Sequence, residues 1–315
     1  MSEKMEILRP IFYLLIFPGL VFTGVLGLFF MWVDRKVTAL IQSRMGPPWY
    51  QCYADIGKLL YKEVMIPAGS NRLSFVSAPL IGLAGICVAG CIIWMVNING
   101  GVSFIGDLIV VMYLLVLPSL ALIIGGAASR NPFSSVGASR EMTMVFAYEL
   151  PFILVVFTAI MKTKSIVFAD IITYQIQNGA MLASVSGVLA SIVFFICMMA
   201  KLCYLPFDIP EAESEIIGGT LAEYSGALLA IYKLTNAMML LILPLFLITL
   251  FLGGIDVSSL KGVLFLTLKY LVILTLVILV KSTHPRLRID QALKFFLGPV
   301  TGLAIISVIL TMLGV

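Results

Sequence analysis

Eight apolar runs, each long enough to cross a bilayer as a helix, set the limits on what this chain can become. They fall at roughly 10–33, 76–97, 107–128, 141–161, 182–204, 222–252, 262–281 and 291–314. About 20 apolar residues span the hydrocarbon core at 1.5 Å per residue. Composition agrees, since 61% of the 315 residues are hydrophobic and 11% are charged. A soluble domain carries about 25% charged residues, so this chain has too little polar surface to coat a water-soluble globule. The expectation is an all-α integral membrane bundle of eight transmembrane helices, one transmembrane domain over residues 1–315. The first run has no small-residue cleavage site after it and is read as a retained helix. The sixth run is long enough to be tilted or broken.

Residues 49–63 are too polar to span. Tyr53, Ile56, Leu59 and Leu60 recur at helical spacing, with Asp55, Lys58 and Lys62 opposite. That pattern predicts a short amphipathic helix lying at the interface. Counting basic residues in the loops places both termini on the external side. Lys4, Arg9, Lys162, Lys164 and Lys261 share that side, while a larger set, including Arg35, Arg44, Arg140, Lys281, Arg286 and Arg288, faces the cytoplasm of a cell membrane. No internal repeat is visible, which argues against an inverted-repeat transporter.

Several chemistries are excluded or disfavoured. The net charge of +4 gives nucleic-acid binding little support. His284 is the single histidine, which rules out a multi-histidine metal site, and the five cysteines form no C-x-x-C pair. Cys87 and Cys91 share a helix face and read as apolar filler. Iron–sulfur ligation lacks its usual spacing. There is no Walker loop and no G-x-G-x-x-G.

The charged residues that remain are concentrated. Asp208, Glu211, Glu213 and Glu215 crowd the segment Pro206–Glu215 between the fifth and sixth runs, with Glu223 two turns beyond. If residues 208–217 are helical, Asp208, Glu211 and Glu215 share one face. Crowded, partly buried carboxylates titrate nearer neutrality and can exchange protons; the bland reading is an exposed acidic helix in water. Glu149 stands in the middle of the fourth run. A lone charge there costs roughly 2.5–3.5 kcal/mol on insertion scales and faces a polar interior. Lys233 and Lys269 also fall inside apolar runs, either on an internal polar axis or as snorkelling or structural pairs. The basic segment from Asp34, Arg35 and Lys36 to Arg44 and Gly46-Pro47-Pro48 is either a topology determinant or a docking surface.

These motifs, in this order, resemble the membrane-anchor subunit (subunit 1) of the respiratory complex I family. The resemblance is closest in character to the homologous subunit of energy-converting (group 4) membrane-bound hydrogenases and related ferredoxin-driven complexes. It rests on Asp34-Arg35-Lys36, Gln42, Arg44 and Gly46-Pro47; on Ala54-Asp55, Lys58-Leu59 and Lys62-Glu63; and on Gly137-Ala138-Ser139-Arg140-Glu141 and Tyr148-Glu149. It continues through Leu205-Pro206-Phe207-Asp208, Glu211-Ala212-Glu213-Ser214-Glu215, Glu223-Tyr224-Ser225-Gly226 and Arg286-Leu287-Arg288-Ile289-Asp290-Gln291. The resemblance implies a subunit that anchors a redox arm and couples its chemistry to proton or sodium pumping. Glu149, Glu211, Glu213, Glu215 and Glu223 match the acidic channel, with Asp208, Lys201, Lys233 and Lys269 as further candidate coupling residues. Arg35, Arg44, Arg140, Arg286 and Arg288 match the family's cytoplasmic basic motifs, and with Lys36 and Asp290 they are the candidate partner-docking residues.

No catalytic residue, metal or cofactor is implied on this chain. Iron–sulfur clusters, and a NiFe centre in a hydrogenase, belong to partner subunits. The implied partners are hydrogenase-like large and small subunits, a ferredoxin-like iron–sulfur subunit, antiporter-like membrane subunits and the lipid bilayer. Two departures stand out. The stretch between Gly46-Pro47 and Ala54-Asp55 is short for a quinone-reducing member, which speaks against a quinone site. Family members usually carry an acid near 201 and a base near 204, where this chain has Lys201 and Tyr204; Lys201 is a candidate partner for a nearby acid. The alternatives are a quinone-reducing complex I subunit lining the quinone site and a stand-alone secondary transporter.

Overall fold

A computed structural model describes residues 10–98, 103–255, 257 and 259–314, with Glu213 and Ser214 described in backbone alone. Lys4 and Arg9, and the side chain of Glu213, lie outside the described residues. Among the described residues, seven helices are long and apolar enough to cross a membrane, and an eighth apolar helix, Val185–Lys201, has 17 residues. Each expected run therefore holds an apolar helix, seven of them of spanning length and one shorter.

The helices are α1 (Leu20–Ile41), α2 (Gln51–Tyr61), α3 (Arg72–Ile98), α4 (Asp107–Leu114), α5 (Leu117–Ala128) and α6 (Pro132–Thr163). They continue as α7 (Phe168–Asn178), α8 (Val185–Lys201), α9 (Gly226–Phe251), α10 (Leu260–Thr283), α11 (Ile289–Phe295) and α12 (Thr301–Met312). Local chemistry explains the ends. The Asn131 side chain accepts from the Phe133 amide and Pro132 opens α6; the side chains of Ser184 and Ser259 cap α8 and α10. Such caps satisfy amides that have no partner inside the helix. The third apolar run divides into α4 and α5. Proline has no N–H and its ring clashes with the carbonyl four residues earlier, and α4 stops at Leu114, four before Pro118. Pro79, Pro151 and Pro244 are accommodated inside continuous helices. The sixth run, expected to be tilted or broken, is one unbroken helix of 26 residues.

α9 is the central pillar, with every residue from Ala237 to Phe251 buried. It packs on α1, α2, α3 and α8. At the α1 crossing, a Cβ on Gly27 would lie 2.5 Å from the Ala237 carbonyl oxygen, so glycine sets how closely these backbones approach. The amphipathic α2 lies where its pattern predicts. Cys52 is buried with Leu28 and Ala237, flanked by Tyr53 and Ile56, and the Tyr53 hydroxyl donates to the Val25 carbonyl at 2.9 Å.

Two expectations about charged segments are corrected. Asp34, Arg35 and Lys36 are not in a loop, because α1 continues to Ile41; the turn that follows is tied back by Trp32 Nε1 to the Pro47 carbonyl and Lys36 Nζ to the Met45 carbonyl. The acidic segment is not a helix over 208–217. Only Glu213–Ile216 makes a helical turn. Pro210 removes an amide and disfavours the α conformation at Ile209. Positive φ at Ile217, Gly218 and Gly219 then reverses the chain. A Cβ on Gly219 would meet the Pro210 carbonyl oxygen, so the loop closes on itself.

The Gly27→Ala variant is expected to destabilise the detergent-solubilised protein by about 1–3 kcal/mol, read as a lower thermal midpoint. Gly302→Ala, where an added Cβ meets nothing within 4 Å, is expected to leave the midpoint unchanged.

Candidate functional site

The acids of the 206–219 loop are held by arginines from two distant parts of the chain. Arg140 on α6 donates to Glu215 at 2.6 Å, and Arg286, just after α10, donates to Asp208 at 2.5 Å. Leu287 N donates to the Pro206 carbonyl at 3.0 Å, fixing the 284–288 stretch of chain beside the loop. Together they enclose a cavity of about 290 Å³ whose wall includes Arg140, Glu215, Arg286, Arg288, Ile209 and Asp290. The one-face helix expected from spacing is thus replaced by a loop whose acids diverge. Each pair is part-exposed, so each contributes modestly to stability; their main effect is to fix the loop.

From this cavity, α6 carries polar groups inward. Glu141, next to Arg140, is 1% exposed, and Cys203 Sγ lies 3.7 Å from its Oε2. Seven residues on, and so on the same helix face, the buried Tyr148 hydroxyl is 3.0 Å from Ser119 Oγ. Beside it Lys201 Nζ donates to Glu149 Oε2 at 2.6 Å. The Lys201 side chain is 1% exposed and that of Glu149 18%. The ammonium also sits 4.4 Å from the Phe152 ring centroid and 5.1 Å from that of Tyr148, and aromatic faces attract cations at such range. From Arg140 to Glu149 the helix rises about 13 Å at 1.5 Å per residue. Glu149 then opens on an apolar groove of about 290 Å³ between α4 and α6, lined by Tyr113, Met112 and Phe157, in which it is the one charged residue.

A second buried pair lies near the arginine end. Asp34, 2% exposed, accepts from Lys281 Nζ at 2.8 Å, and that ammonium lies 4.3 Å from the Tyr204 ring centroid. Arg35 pairs with Asp55 of α2 at 3.3 Å. In the loop after α8, burial first and then the charges of Glu141, Glu211 and Asp208 hold the Cys203 thiol well above its ordinary pKa. Cys203 is therefore a protonated donor, not a thiolate.

Not every candidate joins this line. Glu211 is half-buried in the loop. Glu223 accepts from Asn131 Nδ2 at 2.5 Å, bracing the start of α6. Lys269 donates to the Leu252 carbonyl at 2.5 Å at the far end of the bundle. Lys233 is half-buried on α9, and among the described residues none forms an ion pair with it. Arg44 is exposed beyond α1, Arg288 and Asp290 stand at the cavity wall, and Lys36 holds its own turn. Sequence reasoning does not single out the buried residues Glu141, Asp34, Tyr148, Ser119 and Cys203 as site residues. The family motifs that contain Asp34, Glu141 and Tyr148, and the i, i+7 spacing of the last two, are the signals that could have found three of them.

Comparison with known proteins gives this arrangement a family. A family model described as NADH dehydrogenase matches residues 13–312. The chain belongs to that family. It is 31% identical over 300 residues to an NADH-quinone oxidoreductase subunit from Rhodospirillum centenum, covering 90% of this chain and 87% of the relative. It is 33% identical over 303 residues to the protein of the same description from Thermomicrobium roseum, covering 89% of each. Among solved structures, a chain of the membrane-bound sulfane sulfur reductase, an archaeal respiratory membrane complex, superposes with a TM-score of 0.85 at 29% identity, over 93% of this chain and 96% of that one. The chain is a multi-pass, all-helical membrane member of this family, as the motif order implies.

Removing one partner of a buried pair leaves an uncompensated charge and costs about 3–5 kcal/mol, whereas replacing both is close to neutral. Glu149→Gln alone is therefore expected to lower thermal stability more than the double variant Glu149→Gln/Lys201→Met. Additive losses in the double-mutant cycle would show that the two side chains do not interact.

Proposed function

We propose that this chain is the membrane anchor and coupling subunit of an ion-translocating, complex I-like oxidoreductase of the ferredoxin-driven hydrogenase or related respiratory type. One observation carries the reading. An ion pair joins Lys201, at the end of α8, to Glu149, halfway along α6, with Glu141 and Tyr148 between Glu149 and the arginine-walled cavity. An isolated intramembrane charge is costly, and such residues mark ion and proton pathways. Electron transfer belongs to peripheral partners, which carry the iron–sulfur clusters and, in a hydrogenase, the NiFe centre; this chain binds neither.

The reading assigns each end a partner. The arginine cavity, with Arg35, Lys36 and Arg44 nearby in the fold, receives the hydrophilic redox subunits on the cytoplasmic face of the cell membrane. The groove at Glu149 faces the antiporter-like membrane subunits. Both termini lie on the external side. When redox chemistry changes the charge near Asp208 and Glu215, their arginine pairs rearrange and the proton affinity along α6 shifts, ending at Glu149. The likeness to a chain of the membrane-bound sulfane sulfur reductase, an archaeal respiratory membrane complex, supports the related respiratory type.

A second reading, a quinone-reducing complex I subunit lining the quinone site, is favoured by the description that the bacterial relatives carry. Purification of the native complex separates the two. A nickel-ligating large subunit or its cysteine-poor counterpart supports the first, and labelling of this chain by a quinone-site inhibitor supports the second.

Glu149→Gln and Glu215→Gln, placed in the intact complex and reconstituted into sealed vesicles, are expected to abolish ion translocation while the complex still assembles. Fully coupled translocation in both variants sinks the proposal.

A further inference from the structure

The acidic loop also reaches the Lys201–Glu149 pair by a route that carries no charge. Phe207 directly precedes Asp208 in the loop. Its ring centroid lies 4.9 Å from that of Phe296 and 6.1 Å from that of Phe295. The Phe296 ring in turn meets Tyr148 edge to face at 6.3 Å, and the Lys201 ammonium sits 5.1 Å from the Tyr148 centroid. Rings at such separations attract one another beyond the area they bury. Phe207 and Tyr148 are buried, and Phe296 is wholly so.

Phe296 owes its place to an irregularity in the backbone. Between α11 and α12 the helix widens into a π turn over Phe296–Val300. Pro299 gives the cause: it has no amide for the Phe295 carbonyl four residues back, and in a regular helix its ring would clash there. The Phe296 carbonyl is taken by Thr301, five residues on, through its amide and through its hydroxyl at 2.7 Å. Buried positions recur through the turn at Ala292, Phe296, Val300 and Ala304. Residues four apart drift by about 40° per step around a regular helix of 3.6 residues per turn; the wider turn holds these on one side. The helix therefore starts at the arginine cavity, where Asp290 stands, and still packs α12 on α6 and α8 with Phe296 facing inward. Such turns are rare and are found mostly at functional sites.

We propose that Phe296 is a positioning residue: wedged between Phe207 and Tyr148, it carries a displacement of the acidic loop to the ring that faces Lys201. Close-packed interiors hold few voids to absorb such a movement. When the Arg286–Asp208 pair opens, Phe207 moves with its neighbour Asp208, Phe296 follows, and the Tyr148 ring shifts against the ammonium that Glu149 holds. The inference deepens the coupling reading and rests on it, adding a packing route beside the polar line along α6.

The test uses the intact complex with 3-fluorotyrosine in place of Tyr148, read by fluorine NMR. Asp208→Asn, which weakens the pair with Arg286, is expected to shift the resonance in the otherwise wild-type chain. In a Phe296→Leu background the same substitution is expected to leave the resonance where it was. In a Phe75→Leu background, an equally buried ring that stacks on Tyr224 in a separate cluster, the shift is expected to persist, which separates the wedge from a general loss of packing. An undiminished shift in Phe296→Leu, loss of the shift in Phe75→Leu as well, or no shift in the wild-type background overturns the proposal. Arg286→Gln stands in for Asp208→Asn, and Phe296→Met for Phe296→Leu, where the first variant does not assemble. Ion translocation in Glu149→Gln and Glu215→Gln is measured separately, so the wedge and the coupling reading fail on different results.

Discussion

The Lys201–Glu149 pair is the interaction on which the rest of the arrangement turns. Lys201 is sealed from solvent and held by a carboxylate and two ring faces. An ammonium in that setting demands a negative partner, because the loss of hydration is repaid only by close, hydrogen-bonded charge. Glu149 meets that demand at one oxygen while part of its side chain remains open to the α4–α6 groove. A carboxylate in this position senses both sides. Its charge is stabilised from within by Lys201 and is exposed to whatever a neighbouring membrane subunit presents.

The same logic organises the arginine end. Arg140 and Arg286 pull the loop acids apart, one toward α6 and the other toward the segment after α10. Glu141 directly follows Arg140 and is buried, so any rearrangement of the Arg140–Glu215 pair alters the field at the first buried carboxyl. The Asp34–Lys281 pair fixes α1 against α10 close by. Backbone choices that look incidental in sequence serve this geometry. Pro210 and Gly219 force the loop into a closed turn, and Pro118 ends α4 so that Ser119 can reach Tyr148.

Much of this is legible in the sequence. The apolar runs locate the spans because length and composition decide membrane insertion largely independently of packing. The amphipathic pattern of Gln51–Tyr61 is equally plain. The acidic segment reads wrongly as one helix when i, i+3, i+7 spacing is weighed above the proline in its middle, and the arginine pairing that replaces the helix is long-range, from residue 208 to 286. Lys233 and Lys269 have the same sequence signature as Lys201, a base in an apolar run, yet among the described residues only Lys201 of these three forms an ion pair. Which face of a helix meets which neighbour is a tertiary fact that one sequence without its relatives does not carry. The family motifs compensate at Glu149, Arg140 and Arg286, where order along the chain identifies residues that spacing alone leaves ambiguous.

Redox-triggered infrared difference spectroscopy on the intact complex bears most directly on the coupling role, because it reads carboxyl protonation without waiting for net ion transport. Reduction of the peripheral arm is expected to produce a buried-carboxyl band that vanishes in Glu149→Gln and is lost or shifted in Glu215→Gln. A difference spectrum with no carboxyl change, or one untouched by either substitution, contradicts the assignment of this line of residues as the coupling path.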